Sequence, residues 1–250
     1  MNKENLVSQW KETEQIGMKG WDFSYLKDQS WSEKLPWSYR DQIVQFLNSD
    51  DKLLDMGTGG GEFLSTIPHP FELTSATESW EPNISLIRSK LEPKGIHIYP
   101  VKNQEDLPDG KKFNMIINSH TSYDPQTVAD TLEKDGIFIT QQVGSANNYS
   151  LSRFLDPDYT PAFPENTAMN SISHIIDSGL KMKFLDEYHP QRKFYSVNAV
   201  VYYASNIPWE FPHFTVDGCL NKLFELEKII QHVGYISTHE DRFIIIAQKN

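Results

Sequence analysis

The run Lys52-Leu-Leu-Asp55-Met-Gly57-Thr58-Gly59-Gly60-Gly61-Glu62-Phe-Leu constrains this chain more than any other feature. It reads as a short apolar strand that enters four glycines and emerges into a helix over 62–67. Glycines allow positive φ and close backbone approach to a ligand. A helix starting there would add unpaired N–H groups suited to a carboxylate or phosphate. Beyond it, a second strand candidate ends at Glu78, whose carboxylate is placed to accept hydrogen bonds from both hydroxyls of a ribose. A glycine turn with an acid at the end of the next strand describes a site for a nucleoside-containing ligand.

The surrounding pattern is α/β. Short apolar runs at 52–56, 71–77, 96–99, 113–118, 137–141 and 183–188 read as strands, and 62–67, 82–91, 126–134 and 171–178 as intervening helices. Asp124-Pro125 is an N-cap followed by a first-turn proline, and Gly179 sits where a left-handed C-cap closes a helix. Alternation of this kind predicts right-handed crossovers and a mostly parallel sheet. Residues 1–50 read as helices. A last strand is expected at Arg242–Gln248, after a helix over 216–233. No repeat or low-complexity linker interrupts the chain, which favours one domain over all 250 residues.

Details of the loop narrow the ligand. Counting G-x-G-x-x-G from Gly57 puts Glu62 at the third glycine, and counting from Gly59 puts Leu64 there, so the dinucleotide fingerprint fails. No Lys-Ser/Thr follows, so the P-loop fails too. A carboxylate at Asp55 suits an ammonium group better than a pyrophosphate. Asp55-x-Gly57-x-Gly59-x-Gly61 followed by Glu78 resembles the first two motifs of class I S-adenosylmethionine (SAM)-dependent methyltransferases, and the likeness extends over roughly 53–187 in the family's order. The resemblance implies a Rossmann-like, seven-stranded, mostly parallel sheet with helices on both faces. It also implies an antiparallel last strand and an N-terminal helical extension. Asp55, Gly57, Thr58, Gly59, Gly61, Glu78, Ser79 and Trp80 would hold SAM, with S-adenosylhomocysteine as product. Asn103 and Gln104, in the segment from Val101 to Pro108, stand where the family meets the adenine. The usual aspartate is Asn103 here, whose amide oxygen can accept the same bond. An alternative reading makes Asn103 a loop cap. Asn118, which the resemblance also places against the cofactor, and His120 lie at the exit of the strand beginning at Phe113. By the same analogy residues 1–50 form a lid, 51–190 the SAM-binding core, 191–240 an aromatic cover and 241–250 the last strand.

In this family the cofactor brings its own electrophile, so the protein has chiefly to align an acceptor and exclude water. A base is needed only where the acceptor must lose a proton, and His120 is the best-placed candidate beside the plainer reading of a surface histidine. Tyr123 is a weaker candidate for orienting the acceptor. The eight histidines form no H-x-H or H-E-x-x-H pattern, no metal is expected, and Gly144-Ser145-Ala146-Asn147 lacks the second glycine of a nucleophile elbow. The lone Cys219 excludes a disulfide framework and reads as a buried thiol.

Aromatic residues concentrate in two flanks. One holds Trp10, Trp21, Trp31, Trp37, Phe23, Tyr25 and Tyr39. The other holds Phe194, Tyr195, Tyr202, Tyr203, Trp209, Phe211 and Phe214. These rings suit the wall of an apolar or planar acceptor pocket, or plain packing. No apolar run reaches membrane-span length and MNKENLVSQWKE lacks a signal h-region, so a cytoplasmic protein without membrane partners is expected. A net charge of −11, from 34 acidic and 23 basic residues, disfavours nucleic acid. The expected function is methyl transfer to a small molecule. The rivals are an RNA or protein methyltransferase, for which Lys181, Lys183, Arg192 and Lys193 would supply the basic stripe, and a non-catalytic SAM-binding module.

Overall fold

A computed structural model describes residues 2–18 and 23–250. Trp21 lies outside the described residues. In chain order the elements are α1 (Lys3–Glu14), β1 (Ser30–Ser32), α2 (Tyr39–Phe46), β2 (Leu53–Met56), β3 (Thr74–Glu78), α3 (Glu81–Leu91), β4 (His97–Pro100), β5 (Phe113–Ser119) and α4 (Pro125–Thr131). There follow β6 (Leu132–Val143), α5 (Tyr149–Leu155), α6 (Ala168–Asp177), β7 (Lys181–Tyr188), β8 (Gln191–Phe194), α7 (Val197–Asn206), α8 (Leu220–Val233), β9 (Ile236–His239) and β10 (Arg242–Gln248). The chain divides into two compact units. None of its described helices is long and apolar enough to cross a membrane.

The larger unit comprises residues 36–143, 167–187 and 242–250. Its sheet has seven strands in the order β4-β3-β2-β5-β6-β10-β7. β2 pairs in parallel with β3 and β5, β3 with β4, and β5 with β6, whereas β10 runs antiparallel to β6, from Arg242 opposite Val143 to Gln248 opposite Ile137. The Rossmann-like sheet and its inserted antiparallel last strand match the expectation. β2 and most of β5 are buried, as central parallel strands covered on both faces must be, and their apolar runs are what made them legible. Asp124 caps α4 by accepting from the Thr127 N–H at 2.7 Å, and Gly179 adopts φ +81° just beyond α6, both as the sequence suggested.

Three boundaries differ for physical reasons. No α-helix follows the glycines; the chain makes a single 3-10 turn at Leu64–Thr66. The hydroxyls of Ser65 and Thr66 donate to the carbonyls of Gly61 and Phe63, competing with the helical ladder, and Pro68 biases Ile67 to its extended conformation. The second strand begins at Thr74 rather than Phe71, because Phe71–Leu73 forms a 3-10 turn that Thr74 Oγ1 closes by donating to the Pro70 carbonyl. α4 stops at Thr131, and residues 133–136 become a bulge in β6, between the pairs Phe113–Leu132 and Met115–Ile137. Asp135 there has φ +60°.

The smaller unit comprises residues 1–35, 144–166 and 188–241, and holds an antiparallel sheet ordered β1-β8-β9. β1 corrects the all-helical reading of residues 1–50. Its three residues, Ser-Trp-Ser, carry no periodicity, and it is fixed by pairing with β8, more than 150 residues away. α8 begins at Leu220 instead of Val216, and α5 and α7 had no clear sequence signal. Trp10, Phe194, Tyr202, Tyr203 and Phe211 pack into this unit's own core with Leu223 and Leu226. Most of the flanking aromatics are therefore consumed by packing, and the exposed ones include Trp31, Tyr195 and Trp209.

Candidate functional site

All the candidate site residues belong to the larger unit. Parallel pairing places the carboxyl ends of β2, β3 and β5 side by side: Asp55 lies opposite Ala76 and Ile117, and Met56 opposite Asn118. The chain leaves β2 through Gly57, Gly59 and Gly61, all left-handed, with φ from +61° to +73°. At Gly57 a Cβ would run into the Thr121 side chain, so a larger residue could enter only if Thr121 moved. At Gly59 the same test meets nothing within 4 Å, so this glycine borders open space.

Glu78 ties the loop to β3. It is buried, and its Oε2 accepts from the Gly59 N–H at 3.0 Å and from Asn83 Nδ2 at 3.3 Å. Its Oε1 accepts from the N–H groups of Ser79 at 2.8 Å and Trp80 at 2.9 Å. Thr77 assists, accepting from Gly57 N–H through its hydroxyl at 3.2 Å and from Thr58 N–H through its carbonyl at 3.1 Å. The backbone donors that the sequence assigned to a helix N-terminus are thus furnished by the loop itself, and those of Gly57, Thr58, Gly59 and Gly61 hold protein acceptors. The Trp80 ring is exposed.

Asp55 is 5% exposed. Burial pushes its carboxyl up from 3.8 to about 7, the charge of Glu78 pushes the same way, and the Thr58 hydroxyl draws it down. Tyr39, buried beside it, is held well above the ordinary phenol range by burial and by Asp55, and donates to the Asn118 carbonyl at 2.8 Å. Among the described residues, no lysine or arginine forms an ion pair with Asp55 or Glu78. The cation on the loop, Lys90, donates instead to the Gly60 carbonyl at 3.3 Å and pairs with Glu62.

At the end of β5, Asn118 is fully buried and its Oδ1 accepts from Thr140 Oγ1 at 2.9 Å and Gln142 Nε2 at 2.6 Å. Its Nδ2 has no partner, a rare condition for a buried amide. Two residues on, His120 is exposed with φ +62°, a conformation uncommon away from glycine, and its N–H donates to the Gln141 carbonyl at 3.0 Å. Ser122 then donates to Gln104 Oε1 and Glu105 Oε2, both at 3.4 Å, linking the 103–106 loop to the exit of β5. Asn103 is exposed and turns its N–H and Nδ2 onto Asp106 Oδ2, the arrangement of a loop cap. Tyr123 packs edge-on against Phe138, and burial pushes its phenol up to about 12.

Four contributors were missed by sequence reading, Thr77, Asn83, Thr121 and Gln142, and Tyr39 was named only as a ring of the N-terminal flank. Thr77 and Thr121 adjoin residues already singled out. Gln142 follows the fifth apolar run and carries no motif. Asn83 lies in the first turn of α3, five residues after Glu78, whereas Tyr39 reaches Asn118 only through tertiary packing.

No family model and no curated protein matches the chain. Solved structures do. A protein of Bacillus halodurans described as a methyltransferase superposes with a TM-score of 0.56 at 14% identity, over 84% of this chain and 96% of that one. YcgJ of Bacillus subtilis gives 0.58 at 15%, over 85% and 98%. Coclaurine N-methyltransferase, solved with N-methylheliamine and S-adenosylhomocysteine, gives 0.50 at 10%, over 99% and 86%. At these identities the likeness establishes the fold, which is that of the class I SAM-dependent methyltransferases.

Proposed function

We propose that this chain is a SAM-dependent methyltransferase acting on a small molecule. The observation that carries the reading is the pair of buried carboxylates, Asp55 and Glu78, brought onto a left-handed glycine loop with no lysine or arginine paired to either among the described residues. A pyrophosphate would be repelled there, whereas a ligand with an ammonium and a sulfonium would be attracted. The unpaired Asn118 Nδ2 adds a buried donor for the ligand's carboxylate, and the open space at Gly59 admits close approach. Glu78 would exchange its 3.3 Å bond from Asn83 for a ribose hydroxyl. Ser79, Trp80, Asn103 and Gln104 would flank the adenosine, and Thr58 would line the loop.

SAM supplies, when bound, a methyl group on a positively charged sulfur. The chain's own task is then alignment and exclusion of water. His120, exposed at the end of β5, would take the proton that a hydroxyl or ammonium acceptor must shed. Replacing His120 by alanine should leave S-adenosylhomocysteine affinity unchanged and slow transfer; an intact rate overturns that role. A small acceptor is favoured over RNA by the −11 charge. It is also favoured because Arg192, one of the four basic residues of the supposed stripe, is spent on an ion pair with Glu240 at 2.9 Å and on the Tyr203 and Phe194 rings. The site is tested by equilibrium dialysis of labelled SAM with Glu78→Ala. Affinity is expected to fall at least tenfold, and unchanged affinity in a folded variant would overturn the assignment.

A further inference from the structure

The two outer strands of the seven-stranded sheet are unlike. β4 is four residues long and ends in Pro100, a short and protected edge. β7 is eight residues long, Lys181-Met-Lys-Phe-Leu-Asp-Glu-Tyr188, with neither proline nor glycine. Phe184 and Leu185 at its middle are 38% and 42% exposed. On α6, the preceding helix, Met169 and Ile176 are 76% and 55% exposed. They lie seven residues apart, which is two helical turns and hence one stripe. A long edge strand with an apolar centre is a template for another strand.

The charges along β7 identify which strand. Its first half carries Lys181 and Lys183, its second half Asp186 and Glu187. Lysines on an edge ordinarily deter pairing, but here an antiparallel copy of the same strand brings its acids opposite them. We infer that β7 is a dimerisation edge, pairing antiparallel with β7 of a second copy of this chain about a two-fold axis normal to the sheet. Such an axis leaves each residue on its own face, so directly opposed residues share parity and the register centres on a residue. Centring on Phe184 sets the two rings against each other at the axis. It places Lys181 opposite Glu187 twice, Lys183 opposite Leu185, and Lys183 diagonal to Glu187 of the partner subunit. Directly opposed aromatic pairs and opposite charges are the contacts that stabilise sheet pairing, and like charges there oppose it. The arrangement closes at two copies.

Sedimentation velocity on the full chain at tens of micromolar tests this. The unmodified chain is expected to be a dimer that weakens as salt rises. Lys181→Glu alone and Glu187→Lys alone each turn two attractions into two repulsions, and should raise the dimer dissociation constant roughly tenfold or more. The double variant should return it to within about threefold of the original. Both side chains are exposed, so folding is expected to survive, with circular dichroism as the check. A monomer at 100 micromolar (roughly, a concentration well above that of most specific dimers) overturns the inference. So does a dimer indifferent to the single reversals, an assembly larger than two, or a double variant that fails to recover.

Discussion

Asp55→Asn separates the cost of a buried carboxylate from the rest of the fold. The carboxyl of Asp55 rises from 3.8 to about 7, chiefly through burial. A folded-state value above the unfolded one means that the native chain binds this proton more tightly. Its stabilisation is therefore complete below about pH 4, declines as pH rises, and is gone once pH passes about 7. From pH 5 to the midpoint near 7 is about two pH units, at about 1.4 kcal/mol each, or about 3 kcal/mol of stability lost between pH 5 and pH 8.5. Asparagine fills nearly the same volume and does not titrate. Urea denaturation at pH 5 and 8.5 should show the unmodified chain losing about 3 kcal/mol more than Asp55→Asn across that interval. Parallel pH dependences in the two proteins would refute the claim that Asp55 is buried without a cation. The same group links stability to binding. A cationic ligand favours ionised Asp55, so SAM should bind more weakly as pH falls below about 7, with proton uptake by the protein opposing it.

Gly57→Ala places a Cβ at φ +64° against Thr121 Oγ1, and should cost at least about 1–2 kcal/mol from the left-handed backbone alone. Thermal denaturation should show Thr121→Ala recovering part of that loss, and additive effects would mean that the two residues do not touch. In the smaller unit, Arg192→Met removes the cation paired with buried Glu240 and should cost about 3 kcal/mol, most of it recovered with Glu240→Gln. A loss under about 0.5 kcal/mol by urea denaturation would show that the pair is solvated.

The elements that the sequence disclosed are those whose signal is local. β2 and β5 are buried apolar runs, Asp124 and Gly179 mark helix ends, and the order of glycines, Glu78 and Asn118 along the chain carried the fold. What stayed hidden is non-local. β1 exists because β8 is beside it, and Tyr39 reaches Asn118 across 79 positions of sequence. The helix expected after Gly61 failed through side-chain competition from Ser65 and Thr66, reinforced by Pro68, although the apolar residues there looked helical. The aromatic flanks show the converse. Their composition allowed either a pocket wall or plain packing, and Trp10, Phe194 and Tyr203 are occupied in building a core.

Isothermal titration of the unmodified chain at pH 8 with S-adenosylhomocysteine, SAM and NAD tests the reading of the glycine loop most directly. Two buried carboxylates with no cation paired to them should admit both sulfur-containing nucleosides, with dissociation constants in the micromolar range (about −8 kcal/mol), and should reject the pyrophosphate of NAD. Heat from NAD, or none from either sulfur compound in a folded sample, would contradict it.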